Sequence, residues 1–203
     1  MFHRMLRAVA TLLFVTGLMG AGLAHAGADQ AREFVRNLGD EAIALLSNDK
    51  LDASERIAGL ETLLKRDFDL PRIGRFVLAR YWRQASEEQQ EEFSRLFESY
   101  VLSVYAARLG EYSGETFEIT GATELNEKET SVNTVIKRGQ RPPLRVDWRV
   151  REDGSKPLIV DVAVEGVSMA LTHRSEFGSV IQNSPQGVDA LLDRLRKQSV
   201  KVD

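Results

Sequence analysis

The stretch Gly166 to Ala170, GVSMA, is the part of the sequence that most resembles a catalytic motif. Its GxSxA spacing falls between an alternating and a helical pattern, where some hydrolases hold a nucleophilic serine on a sharp turn. Such a serine needs a histidine base from elsewhere in the fold, whereas His173 follows on the same helix. A serine at a helix start commonly accepts a hydrogen bond from an unpaired backbone N–H. We therefore predict that Ser168 caps the helix, with a weak esterase kept as an alternative.

The chain has few side chains that could bind a metal ion or a cofactor. It contains no cysteine and three histidines, of which His3 and His25 lie in an N-terminal segment that resembles a cleaved leader. The mature chain keeps only His173, so a multi-histidine or thiolate metal site is excluded. No glycine-rich loop has the spacing of a nucleotide-binding motif. We predict that the protein is not an enzyme and has no catalytic residue, no metal and no cofactor.

The first 26 residues predict export. Arg4 and Arg7 precede an apolar run from Ala8 to Leu23, and the sequence Ala24-His25-Ala26 fits a signal-peptidase site,. A membrane anchor is the alternative, but glycines thin the second half of the run and no charged flank follows it. We predict a signal peptide at 1–26 and an exported protein. The remaining 27–203 is long enough for one domain with its own core.

The charge of the mature chain argues against nucleic acid as a partner. The leader carries two arginines and no acid, which leaves 25 basic and 30 acidic side chains, a net charge of −5,. Two local basic clusters remain that could contact lipid headgroups or an acidic partner. They are Lys137, Arg138 and Arg141 near a strand turn, and Arg72, Arg75, Arg80 and Arg83 near a tryptophan.

The periodicity of apolar residues changes along the chain from helical to alternating and back. Helices are predicted at 28–48, 54–66, from Asp69 onward and after a Ser86/Gln89 capping box; strands at 117–125, 131–137, 144–151 and 158–165; and helices again at 168–182 and 185–197,. The order predicts an α+β fold, with a helical N-terminal half, a four-stranded twisted antiparallel sheet and C-terminal helices. A turn at Asp153 and Gly154 between the last two strands predicts that neighbouring strands pair as a meander,. If the helices do not fill the concave face of the sheet, the fold encloses an apolar cavity.

The helix after the capping box has an unusually wide apolar face. In the stretch 93–112, FSRLFESYVLSVYAARLGEY, eight apolar or aromatic residues cover roughly half of the circumference,. A helix that covers an ordinary core needs a stripe only somewhat over about 100° wide. The excess predicts a second apolar partner, which is either more of this protein or an apolar ligand.

Two stretches of the chain resemble a known protein family. The most specific elements are Arg80-Tyr81-Trp82-Arg83 with its spacing to Gln89 and Phe93, and Glu165-Gly166-Val167-Ser168 followed by Arg174 and Phe177. With these the mature chain resembles the MlaC-type periplasmic phospholipid-binding proteins, also called the toluene-tolerance family. Ala79 departs from the LGRYW pattern of that family, which has glycine at this position.

The resemblance implies a lipid carrier. Such a protein sequesters phospholipid acyl chains between helices and a twisted sheet and shuttles them between an outer-membrane lipoprotein complex and an inner-membrane ABC transporter complex. One branch of the family accompanies hopanoid biosynthesis, so a hopanoid-type lipid is a second possible cargo. An adaptor that docks on a membrane transport complex without carrying cargo is the alternative function.

Candidate lipid-binding residues follow from the wide helix face and the apolar faces of the strands. We predict that they are Phe97, Val101 and Tyr105 from the aromatic helix, Trp148, Val150, Val160 and Val162 from the sheet, and Met169 from the helix after it.

Overall fold

The computed structural model describes residues 21–109, 112, 114–154 and 156–199, with the side chains of 21–26, 105–109 and 199 outside this description. The elements in chain order are α1 (Ala21–Leu46), α2 (Ala53–Asp67), α3 (Leu70–Leu78), a 3₁₀ helix (Ala79–Arg83), α4 (Glu87–Leu109), β1 (Thr116–Asn126), β2 (Glu129–Arg138), β3 (Arg141–Glu152), β4 (Pro157–Val164), β5 (Val167–Ser168), α5 (Met169–Gln182) and α6 (Val188–Ser199). The predicted α+β order is confirmed. Most of the predicted signal peptide lies outside the described residues.

Side-chain caps fix the starts of several helices. Asp52 and Glu55 form a reciprocal capping box at α2. Ser86 and Gln89 form the predicted one before α4, with the Ser86 N–H donating to Gln89 Oε1 at 3.0 Å and the Gln89 N–H donating to Ser86 Oγ at 3.3 Å. Asp69 caps α3. Each cap satisfies backbone N–H groups that have no partner within the helix, so these starts can be located from the sequence.

The strands form one antiparallel sheet in the order β1-β2-β3-β4-β5. This is the predicted meander, in which each strand pairs with the next along the chain. A fifth strand of two residues, which was not predicted, pairs Ser168 with Ala163 and Val167 with Val164. It carries the chain directly into α5, so Ser168 is both the end of the sheet and the cap of the helix.

A β-bulge in β4 changes which side chains share a face. Trp148 pairs with Val162 and Val150 pairs with Ile159, so Val160 is the extra residue between the two pairs. A bulge shifts the alternation by one position. Ile159 therefore takes the buried position opposite Val150 that the uninterrupted alternation assigned to Val160, and its side chain is fully buried.

The largest core lies between α3, α4, α5 and α6. Phe93, Phe97 and Phe177 form its centre: the Phe93 and Phe97 rings stack at 5.6 Å, and Phe177 meets both edge-on. Leu191, Leu192 and Leu195 of α6 close this core and are fully buried. We call this cluster the filled core. One partner of the wide face of α4 is therefore the protein itself.

Helices α1 and α2 pack on the sheet through two smaller hydrophobic clusters. Ala31 and Val35 of α1 pack against Val132 and Val150 of the sheet. Further along α1, Leu38 packs with Leu63 of α2 and Ile159 of β4. Among the described residues, no helix is long and apolar enough to cross a membrane.

Candidate functional site

A cavity of about 860 Å³ lies between the α1–α2 pair, α4 and the sheet. This volume is within the range of small-molecule binding pockets. Its walls are largely aliphatic and aromatic. Helix α1 contributes Leu38, Ala42, Ile43 and Leu46; α2 contributes Ile57, Leu60, Leu63 and Leu64; the strands contribute Phe117, Ile136, Leu144, Trp148, Val162 and Val164.

Two glycines let the cavity walls approach each other closely. A Cβ atom at Gly39 of α1 would lie 2.8 Å from the ring of Phe117, and one at Gly59 of α2 would lie 2.6 Å from Leu45 of α1. Both distances are below van der Waals contact, so any larger residue forces a neighbour to move. Gly39 thus allows α1 to pack closely on the sheet, and Gly59 allows α2 to pack closely on α1.

Five of the eight predicted lipid-binding residues line this cavity. They are Phe97 and Val101 of α4, Trp148 of β3, Val162 of β4 and Met169 of α5. Phe97 and Val101 also belong to the filled core, so these side chains form the partition between the two regions.

Two of the other three residues, Val150 and Val160, lie outside the cavity wall. Val150 is fully buried between the sheet and α1 and does not line the cavity. Val160 is the bulge residue of β4 and is also absent from the cavity wall, because the bulge places Ile159 and Val162 on the apolar face instead. The side chain of Tyr105 lies outside the described residues.

Sequence reasoning missed the contribution of α1 and α2. These helices provide much of the cavity wall, yet residues such as Ile43 and Leu60 follow the ordinary helical stripe that also covers a core,. The periodicity identifies the buried face of a helix and does not identify what covers it. Gly39 and Gly59 were the available signal, since glycine within a helix often indicates close packing.

Trp148 is held in the cavity wall by a hydrogen-bonded chain. Its Nε1 donates to Thr134 Oγ1 at 3.0 Å, and Thr134 Oγ1 donates to the Val146 carbonyl at 2.6 Å. The indole ring also meets the ring of Phe117 edge-on at 6.5 Å. Because its polar atom is satisfied within the sheet, the indole can offer an apolar surface to the cavity.

Ser168 is a helix cap in the structure, as predicted. Its Oγ accepts from the Leu171 N–H at 3.1 Å and donates to Asp161 Oδ2 at 2.5 Å. Asp161 also accepts from the backbone N–H of Ala170 at 3.1 Å. His173 lines the cavity and packs against Tyr100 and Phe177 rather than against Ser168. The arrangement holds the start of α5 against β4 and lacks the serine–histidine contact of an esterase.

Exposed side chains line the cavity beside the β2–β3 turn, and we take this end as its opening. Arg138, Arg141 and Glu115 line it there, and the side chain of Arg141 is 57% exposed. Among the described lining residues, the other titratable side chains are Tyr112 and, beside α5, Asp161 and His173. In the described part of the chain, no cluster of three histidines or carboxylates could hold a metal ion.

An α+β fold with an apolar cavity between its helices and a meander sheet belongs to the class of architectures that can bind hydrophobic ligands,. Within that class, the chain belongs to the MlaC protein family, which matches residues 36–197.

Curated relatives and a solved structure agree with this assignment. The chain is 26% identical over 148 residues to the intermembrane phospholipid transport system binding protein MlaC of Haemophilus influenzae, an alignment that covers 69% of this chain and 68% of that protein. It is 22% identical over 114 residues to the toluene tolerance protein ttg2D of Pseudomonas putida, covering 56% and 53%.

The solved structure is that of a phospholipid-binding protein from Ralstonia solanacearum in complex with a phospholipid. It superposes with a TM-score of 0.75 at 20% identity, over 85% of this chain and 98% of that one. At this identity the likeness shows the shared fold.

Proposed function

We propose that this protein is a lipid carrier that sequesters the acyl chains of a phospholipid in the cavity between α1–α2, α4 and the sheet. The observation that carries the proposal is the apolar lining of a cavity of about 860 Å³. The names of the relatives support phospholipid as the cargo, because one belongs to a phospholipid transport system and another structure holds a phospholipid.

The energetics of lipid transfer explain why such a wall needs no sharp motif. Exposing acyl chains to water costs about 0.8 kcal/mol per CH₂ group, so a lipid does not readily cross an aqueous space unaided. Burial in a dry cavity removes most of that cost without forming or breaking a bond. Plain aliphatic side chains such as Ile43, Leu60 and Leu144 are sufficient for this task.

The cellular setting is part of the proposal. We infer that residues 1–26 are removed on export, that 27–203 acts as a single lipid-binding domain in the periplasm, and that it exchanges lipid with an outer-membrane lipoprotein complex and an inner-membrane ABC transporter complex. Mass measurement of the protein recovered from the periplasm tests the first step, because cleavage after Ala26 gives one defined N-terminus. Full-length chain in the membrane fraction would contradict it.

The cargo can be tested on freshly purified protein by native mass spectrometry and lipid extraction. We expect one intact two-chain phospholipid per protein chain, and recovery of a hopanoid instead would change the cargo assignment. Protein that carries no lipid would favour the adaptor alternative. Recovery of lipids that have lost one acyl chain, abolished by Ser168→Ala, would favour the esterase alternative.

A matched pair of variants on β4 locates the binding region. Val162→Asp places a carboxylate in the cavity, where desolvation penalises it, whereas Val160→Asp places the same group on the same strand outside the cavity wall,. We expect Val162→Asp to lower co-purified lipid several-fold and Val160→Asp to retain it, with both variants folded by circular dichroism. Equal lipid content in the two folded variants would contradict the proposed site.

A further inference from the structure

The open end of the cavity carries an unbalanced positive charge. Arg138 and Arg141 are paired residues across the β2–β3 turn, and Glu115 lies just before β1. All three line the cavity. Among the described residues, two guanidinium groups and one carboxylate line this opening, a formal charge of +1, whereas the whole chain carries −3.

The two arginines are held at the opening in different ways. Arg141 Nη2 lies 3.2 Å from Glu115 Oε1, and the Glu115 side chain is only 16% exposed. Arg138 donates through Nε and Nη2 to the Pro142 carbonyl, at 3.1 and 2.6 Å. A carbonyl oxygen orients a guanidinium without neutralising its charge. Among the described residues no carboxylate pairs with Arg138.

Other cations on the sheet are neutralised. Lys137, next to Arg138 in sequence, pairs with Glu118 at 2.6 Å. Arg151 pairs with Glu129 at 2.8 Å and with Asp153 at 2.8 Å. Within the described strands, Arg138 is therefore the cation without a carboxylate partner, and it lines the cavity.

We infer that Arg138 and Arg141 form a subsite for the phosphate group of the bound lipid. The inference rests on the proposed function and deepens it. When acyl chains fill an apolar cavity, the headgroup stays at the opening, and a phosphate there meets two guanidinium groups. Guanidinium binds phosphate through paired, charge-assisted hydrogen bonds. The protein would then select phosphate-bearing lipids over neutral lipids with the same tails, and a hopanoid without phosphate would gain nothing from this opening.

A comparison of two lipids with identical tails tests the subsite. Protein is incubated with vesicles containing equal amounts of dioleoyl phosphatidylglycerol and dioleoylglycerol, and the bound lipids are counted by mass spectrometry after re-isolation. The native chain should retain mostly the phospholipid. Arg138→Gln should lower the ratio of phospholipid to diacylglycerol about tenfold, as expected for the loss of one charge-assisted hydrogen bond, and Arg141→Gln should also lower it. The affinity for dioleoylglycerol, measured with that lipid alone, should not change.

Two control variants test whether the lipid preference depends on the arginines that line the cavity or on any positive charge nearby. Lys137→Gln removes an adjacent positive charge that does not line the cavity and should leave the ratio unchanged. Arg138→Lys keeps the charge and loses the planar fork, so it should give an intermediate ratio. Circular dichroism verifies the fold of each variant.

The outcomes distinguish the subsite from the cavity. If the native chain retains neither lipid, the proposed carrier function fails. If it retains both equally and the arginine variants behave like the native chain, the cavity stands and the subsite is wrong. A ratio that falls equally in Lys137→Gln also overturns the subsite.

Inorganic phosphate supplied at the lipid concentration should not displace the phospholipid. If it removes the preference, free phosphate is the occupant and the headgroup assignment is overturned. A preference that persists in both arginine variants also overturns the subsite.

Discussion

The filled core and the cavity are built from the same kinds of side chain but have different neighbours. In the filled core, Phe93 stacks on Phe97 and meets Phe177, while α6 closes the cluster with fully buried leucines. In the cavity, side chains such as Ile43 and Leu144 form walls around about 860 Å³. Helix α4 borders both regions. The difference teaches that apolar composition alone does not separate structural packing from ligand binding.

The largest expected effect comes from a leucine-to-alanine substitution made once in each region. Leu192→Ala in α6 removes a fully buried side chain from the filled core and should lower the free energy of unfolding by about 2–5 kcal/mol,. Leu144→Ala in β3 removes a half-buried side chain that already borders the cavity, and it should cost less than about 1.5 kcal/mol,. Urea denaturation of the lipid-free proteins measures both.

Added lipid should reverse the order of the two variants: the substitution that costs less stability should lose more of the stabilisation by lipid. A ligand that binds only the folded state raises the free energy of unfolding. We expect lipid to stabilise the Leu192→Ala variant as strongly as the native chain, and the Leu144→Ala variant less. If both substitutions cost the same free energy and lipid stabilises both equally, the distinction between filled core and cavity is wrong.

The elements of both regions could be predicted from periodicity and caps. The Ser86/Gln89 capping box located the start of α4, and alternating residues located the four main strands. The meander followed from the turn at Asp153 and Gly154. These signals are local, so one sequence is enough to identify them.

The cavity wall could be predicted only in part, because it depends on register and packing. The run from Leu158 to Val164 is apolar at almost every position, so a bulge that exchanges Ile159 for Val160 leaves little trace in the sequence. The wide face of α4 predicted a second apolar partner, and in the structure this helix borders both the filled core and the cavity. The sequence did not show that α1 and α2 provide the opposite wall of the cavity, because the apolar stripes of these helices look like those of ordinary core helices.

A smaller effect is expected at the end of α3, on the side of the filled core. Ala79 has φ 54° and ψ −125°, a conformation that strongly favours glycine,. The buried Leu78 that precedes it belongs to the filled core, whose packing holds this backbone in place. Ala79→Gly should relieve the strain and raise the free energy of unfolding by about 1 kcal/mol.

The control for Ala79 lies on the cavity side. Ala58 is an exposed residue within α2, where glycine costs about 1 kcal/mol,. Thermal or urea denaturation should therefore give changes of opposite sign for Ala79→Gly and Ala58→Gly. Destabilisation by both substitutions would show that the backbone at Ala79 is not strained.

The smallest effect concerns two carboxylates at the end of the sheet that α1 covers. Burial raises the pKa of Glu152, whose Oε1 has no hydrogen-bond partner among the described residues. Glu129 is also partly buried, which by itself would raise its pKa, but hydrogen bonds from Arg149 and Arg151 outweigh this and hold its pKa below the usual value. The two groups should therefore give stability changes of opposite sign with pH.

Because folded Glu152 holds its proton more tightly than the unfolded chain does, its contribution to stability is lost as the pH rises from about 4.5 through the raised pKa,. Glu152→Gln should then raise the free energy of unfolding at pH 7, by less than about 1 kcal/mol, and have little effect at pH 4. Glu129→Gln should lower it at pH 7, since a carboxylate with a lowered pKa stabilises the fold above its unfolded pKa and loses that contribution as the pH falls,. Urea denaturation at the two pH values measures both changes, and a loss of stability at pH 7 in Glu152→Gln would mean that its carboxylate has a partner that stabilises the charged form.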